Sequence, residues 1–207
     1  GYGSCLIPAV MMMIIFQTLL MVIGMVTGEE YSSDGIRTYA PFGHTWAAAI
    51  RIVAGKAFVY CGLYAIFSFF LLGLLPYFFS IPNIGNGLYI VLLMIPYLIA
   101  TSFLGLAASR YFTDSEAPLL MIAFFSVGLI FLSGVSYPME LMPWYWKAAH
   151  YILPAAPATL AFVQLNSMGA SMADIRPEYI TLWIQVLVYF ILSIWVYQKK
   201  LQKSQLR

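Results

Sequence analysis

Five stretches of about twenty nearly uncharged residues dominate this chain and restrict what it can fold into: 5–27, 45–70 (running on toward 79), 87–109, 117–136 and 178–197. A hydrocarbon core about 30 Å thick is crossed by about 20 apolar residues of α-helix. Within it the backbone has no water to bond, so only helices and closed barrels serve. The runs are apolar on all sides, as lipid-embedded helices are, and lack the short alternating segments of barrel strands. Composition points the same way. The 207 residues are 62% hydrophobic and 9% charged, against about 45–50% and about 25% in soluble domains. The sequence therefore specifies an all-α integral membrane protein. Five transmembrane helices and a short external re-entrant helical hairpin would form one transmembrane domain over 1–207.

Orientation follows from Lys and Arg, which favour cytoplasmic connections. If the first run enters from outside, Arg37, Arg51, Lys56, Arg110, Lys199, Lys200, Lys203 and Arg207 fall at or near the cytoplasmic face, and only Lys147 and Arg176 fall outside. The N-terminus is then external, the C-terminus cytoplasmic, and segment 28–44 cytoplasmic. The first residues, GYGSCLIPAV, have no basic leader and no cleavage motif. An upstream spanning helix is the expected means of placing them outside.

Segment 137–177 is the external connection. It is too long for a tight turn and too oily for a solvated loop, and Pro138, Pro143, Pro154 and Pro157 interrupt it. Short apolar helices broken by proline lie in the interface or dip in and return. A hairpin from about Met142 to Gln164 is expected, with Pro138, Glu140, Pro143, Trp144 and Pro154 as its markers. The alternative is an ordinary interfacial loop.

Catalytic and nucleotide-binding signatures are missing from the sequence: no HExxH, no Walker lysine loop and no GxGxxG. Cys5 and Cys61 give neither a disulfide framework nor metal-ligand spacing. His44 and His150 lie on opposite sides of the bilayer in this topology and cannot share a metal. No catalytic residue and no metal ligand is assigned, and a net charge of +2 implies no nucleic-acid partner. An intramembrane serine protease or lipid-modifying enzyme would require Ser136 and His150 within hydrogen-bond reach. An ion-coupled secondary transporter would require acids at the bilayer midplane and inverted repeats; the acids of this chain fall in loops or at span ends.

One cluster of charges lies in VTGEEYSSDGIRTYAPFGHTW, residues 26–46, and just beyond it at Arg51 and Lys56. Arg51 and Lys56 could snorkel to lipid phosphates or pair with Glu29, Glu30 or Asp34. Asp34 is placed to cap a short helix from Gly35 to Tyr39, stopped by Pro41. In the third span, Ser102, Gly105 and Ser109 share one face and suit close helix packing. A plain solvated loop at 28–44, its acids balancing Arg37 and Arg51, is the simpler alternative.

Two motifs give these features a family. The acidic-then-glycine stretch GEEYSSDGIRT resembles the E-R-E-x-G-T motif of ABC-2 type exporter membrane subunits. The later block LSGVSYPMELMP resembles that family's L-S-G-x-x-[YF]-P-x-x-x-[ML]-P external hairpin. The first match departs from the pattern, since Glu29 and Glu30 are adjacent with no base between them and Ile36 stands where Thr is usual. The resemblance covers essentially the whole chain and implies a permease of six spanning helices working as a homo- or heterodimer in a bacterial inner membrane. This chain would correspond to helices two to six, without helix one and an external domain. It further implies a cytosolic ATP-binding cassette subunit that holds ATP and Mg, with no cofactor in this chain, and a coupling element at 28–44. Glu29, Glu30, Tyr31, Asp34, Gly35 and Ile36 would make that coupling. The expected cargo is amphipathic or hydrophobic and moves out of the cytoplasm or inner leaflet, with membrane lipids as surroundings and no ATPase site in the chain itself.

Overall fold

The computed structural model describes residues 2–32, 45–79, 85–109, 111, 116, 118–119, 128–129, 131–135 and 142–204. Among them there is no strand. The helices are α1 (Tyr2–Ser32), α2 (Trp46–Phe69), α3 (Gly87–Ala108), α4 (Trp144–Ile152), α5 (Ala155–Ser167) and α6 (Arg176–Ser204). Four stretches are long and apolar enough to cross a membrane: Leu6–Glu30, Trp46–Phe78, Gly87–Ala108 and Arg176–Gln202. Of the expected span at 117–136, only 118–119, 128–129 and 131–135 are among the described residues.

Local chemistry sets the starts of two spans. Thr45 has extended backbone and its hydroxyl accepts from the Ala48 N–H at 3.3 Å, capping α2. Asn86 does the same for α3, its Oδ1 accepting from the Leu88 N–H at 3.0 Å. These bonds satisfy amides that a helix start leaves unpaired. Beyond Phe69, α2 continues through a π-helical stretch, Phe70–Leu74, and a last turn, Leu75–Phe78. The Leu75 N–H bonds the Phe70 carbonyl five residues back. Pro76 follows immediately, and having no N–H it cannot continue a regular ladder.

The central helix is α3, which packs on α1, α2, α5 and α6. Leu93, Tyr97, Ala100 and Leu106 are fully buried. The Tyr97 hydroxyl donates to the Met12 carbonyl of α1 at 2.7 Å, and Phe103 lies against Phe190 of α6 with ring centres 4.9 Å apart. Close approach depends on Gly105, where a Cβ would sit 3.0–3.2 Å from three side-chain atoms of Ile23. The small-residue face read from the sequence is thus buried as expected, with Ser102 and Ser109 beside Gly105 in the packed interior.

Segment 142–177 forms an elbow. Helices α4 and α5 meet at 87° across a short break, with Pro143 before the first and Pro154 before the second. The two helices are therefore near-perpendicular, a bent helical pair in the place of the expected re-entrant hairpin. They differ sharply in setting. Trp144, Tyr145 and Trp146 of α4 are exposed, whereas Ala155, Ala158, Ala161, Phe162 and Leu165 of α5 are buried against α1, α3 and α6. The break strands the last carbonyls of α4, and α6 supplies donors for them. Gln185 Nε2 donates to the Tyr151 carbonyl at 2.7 Å, and the Tyr189 hydroxyl donates to that of Ile152. Gln185 and Tyr189 are four apart and so share one helix face. Irregular backbone at membrane depth is tolerated only under such protein cover.

Candidate functional site

Four helices meet in a polar cluster at one end of the bundle. Glu30, two residues before the end of α1, receives the Lys56 ammonium of α2 at 2.6 Å on Oε1 and 2.5 Å on Oε2. The two side chains are 24% and 14% exposed, so this pair is shielded from water, unlike an ordinary surface bridge. Tyr197 of α6 completes the setting: its hydroxyl lies 3.3 Å from Lys56 Nζ, and its ring centre is 5.3 Å from that nitrogen. Lys200 also approaches this ring, 5.1 Å from its centre. Lys200 also donates to the carbonyl and hydroxyl of Ser109, at 3.2 and 2.9 Å, at the C-terminus of α3. A helix C-terminus carries partial negative charge and favours a cation there. Contacts therefore run unbroken from α1 through Lys56, Tyr197 and Lys200 to α3.

The cluster lies at the C-terminal end of α3 and part-way along α2. Ser109 ends α3, whose 22 residues are about 33 Å long and just span a hydrocarbon core. Helix α2 extends ten residues before Lys56, about 15 Å of helix. The N-terminal turns of α2 continue beyond Lys56 with Ala48, Ala49, Ile52 and Val53 buried in the core. Arg51 lies on the opposite, exposed side of these turns.

Of the residues expected to couple, Glu29, Glu30 and Tyr31 belong to α1 and not to a loop, because α1 runs on to Ser32. Glu29 is exposed and Glu30 turns inward to Lys56. The adjacency of the two acids explains this split, since neighbouring residues on a helix point about 100° apart. Asp34, Gly35 and Ile36 lie outside the described residues, as does the short helix expected at 35–39. Lys56 pairs with an acid and does not simply snorkel. From the sequence, Lys200 counts only toward orientation, Ser109 only as a packing residue, and Tyr197 is not singled out as a site residue. The spacing of three between Tyr197 and Lys200, an aromatic and a base on one helix, is the available signal.

At the other end, Trp144 is 81% exposed at the first turn of α4 and Pro143 precedes it. Pro138 and Glu140 lie outside the described residues, and so does Ser136. His150 is buried, with Nδ1 2.8 Å from the Leu132 carbonyl and its ring edge-on to Tyr151.

Residues 1–195 match the family model described as ABC-2 family transporter protein. A comparison with curated proteins returned no match.

Proposed function

The chain belongs to the ABC-2 transporter family and is a multi-pass membrane permease of an ABC transporter, a transport subunit and not itself a catalyst; from that premise we propose that it is driven by a cytosolic ATP-binding cassette subunit through the polar end of the bundle. The partner would hold ATP and Mg, and a second permease copy would complete the pathway. The observation that carries this reading is the Glu30–Lys56–Tyr197–Lys200–Ser109 chain of contacts. It ties α1, α2, α3 and α6 together at one end of the bundle. A push on α1 or α2 at this end is thereby passed to the central helix as a rigid-body displacement, the kind of change that switches transporters.

The domain reading goes with it: one transmembrane domain over 1–207, the coupling segment at 28–44 on the cytoplasmic side and the segment 137–177 outside, in a bacterial inner membrane. The cargo is an amphipathic or hydrophobic molecule moved outward, since apolar and aromatic side chains dominate every span. Co-purification tests the ATPase link. The full-length parent is expressed with candidate ATP-binding subunits, as wild type and as Glu29→Lys, the exposed acid that leaves the Glu30–Lys56 pair intact. Capture by the wild type and reduced capture or uncoupled ATP hydrolysis in the variant is the expected result. Absence of any associated ATPase from both would overturn the reading.

A further inference from the structure

A groove of about 600 Å³ runs between α2 and α3, lined by Cys61, Ser68 and Gly73 on one wall and Gly87, Met94 and Ile99 on the other. Its volume is within the range of about 300–1,000 Å³ that holds small organic ligands. Both walls are membrane-spanning helices, and the rim residues Phe69, Val91 and Ile95 are exposed, so it opens sideways toward hydrocarbon.

Three features of the sequence make the groove. Gly73 and Gly87 remove side chains from facing walls at one end; a Cβ at Gly73 would meet only the Phe69 ring, at 3.8 Å, and one at Gly87 would meet nothing within 4 Å. The π-helical stretch Phe70–Leu74 widens α2 at the same level, and such stretches recur at functional sites. Ser68, on the groove wall, is 5% exposed, and its hydroxyl has no hydrogen-bond partner among the described residues. A buried serine in a spanning helix ordinarily returns its hydroxyl to a carbonyl one turn back, as Thr101 does to Tyr97.

Length identifies the occupant. From Cys61 to Gly73 is twelve residues, about 18 Å of helix, close to one leaflet of a hydrocarbon core about 30 Å thick. On α3 the groove begins at Ile99, ten residues or about 15 Å from Ser109, and extends away from it. It therefore covers the half of the span remote from the Glu30–Lys56 end. We infer that this groove is a lipid site holding one acyl chain of a phospholipid from the leaflet opposite the Glu30–Lys56 end. The inference goes beyond the ATPase reading and depends only on the membrane setting.

The test uses the full chain in vesicles of phosphatidylcholine doped with a phosphatidylcholine bearing a diazirine partway along one acyl chain. Irradiation is followed by peptide mapping, with no ATPase present. Labels should concentrate on residues 61–73 and 87–99, several-fold above those on Ile184, Leu187 and Ile191, which are exposed apolar residues of α6. Gly73→Phe should fill the groove and lower its labelling several-fold while the α6 signal stays constant. If that variant fails to fold, Gly87→Leu fills the same end where a side chain has open space. Equal labelling of both faces, or groove labelling unchanged by the filling variants, would overturn the inference. So would an unlabelled groove that instead cross-links to a second copy of the chain. Each of these failures leaves the ATPase reading standing, which co-purification judges separately.

Discussion

Neutralising one side of the Glu30–Lys56 pair tests whether the polar end holds the bundle together. Glu30→Gln removes the carboxylate that holds the Lys56 ammonium beside the Tyr197 hydroxyl and ring. Removing one partner of a fully buried pair costs about 3–5 kcal/mol, whereas exposed pairs contribute about 0–1 kcal/mol. Exposures of 14% and 24% place this pair between those limits, so either Glu30→Gln or Lys56→Met should cost about 2 kcal/mol. For a chain of this size, about 2–4 °C per kcal/mol turns that into a fall in Tm of about 4–8 °C. The double variant removes both charges and strands neither. Its loss should stay near about 2 kcal/mol, against a sum of about 4, giving a coupling energy of about 2 kcal/mol. Thermal loss of the monodisperse peak, measured in detergent for the four proteins of the cycle, gives all the terms. Additivity to within about 0.5 kcal/mol would refute the contact and the reasoning built on it.

Three further outcomes follow from the packing. Gly105→Leu should destabilise by about 1–3 kcal/mol through collision with Ile23, whereas Gly55→Ala, where a Cβ meets nothing within 4 Å, should stabilise by about 0.5–1 kcal/mol; the same thermal assay reads both. Tyr189→Phe and Gln185→Leu should each cost about 1–3 kcal/mol by stranding the Ile152 or Tyr151 carbonyl, and proteolysis should then begin at the α4–α5 break. The Asp174 carboxylate accepts from the Ser171 N–H and hydroxyl, both at 2.8 Å, and these bonds hold its pKa below the usual carboxylate value. A lowered folded-state pKa means the turn's stabilisation is complete above the ordinary value and is lost as pH falls through the lowered one. Amide exchange at Ser171 should accelerate only in that acid range, and Asp174→Asn should remove the pH step.

The spans were legible because length and apolarity alone decide them. Helix α3 begins where its apolar run begins, and the wall around Gly105 follows from small residues spaced on one face. The ends were less legible. Helix α1 carries Glu29 and Glu30 inside its last turns, and Glu30 meets Lys56, a partner 26 residues away that periodicity does not register. Helix α2 passes Phe70 through a π-helical stretch just before Pro76, a change of helix type that the apolar run toward 79 does not register. The elbow was legible as broken helix from Pro143 and Pro154, but its right angle depends on Gln185 and Tyr189 reaching the freed carbonyls from α6. In the candidate site, the acids and Lys56 stood out as charges in an oily chain. Tyr197, Lys200 and Ser109 did not, because their roles arise only when the C-terminal ends of α3 and α6 come together.

Site-directed cross-linking to the ATP-binding subunit tests the central claim most directly. Single cysteines replace Glu29 and Arg51 near the Glu30–Lys56 end and Trp144 on α4, and each is reacted with the co-expressed subunit through a short thiol-reactive bridge. The account predicts adducts from positions 29 and 51 and none from 144. Adducts from 144 with none from 29 or 51 would contradict it.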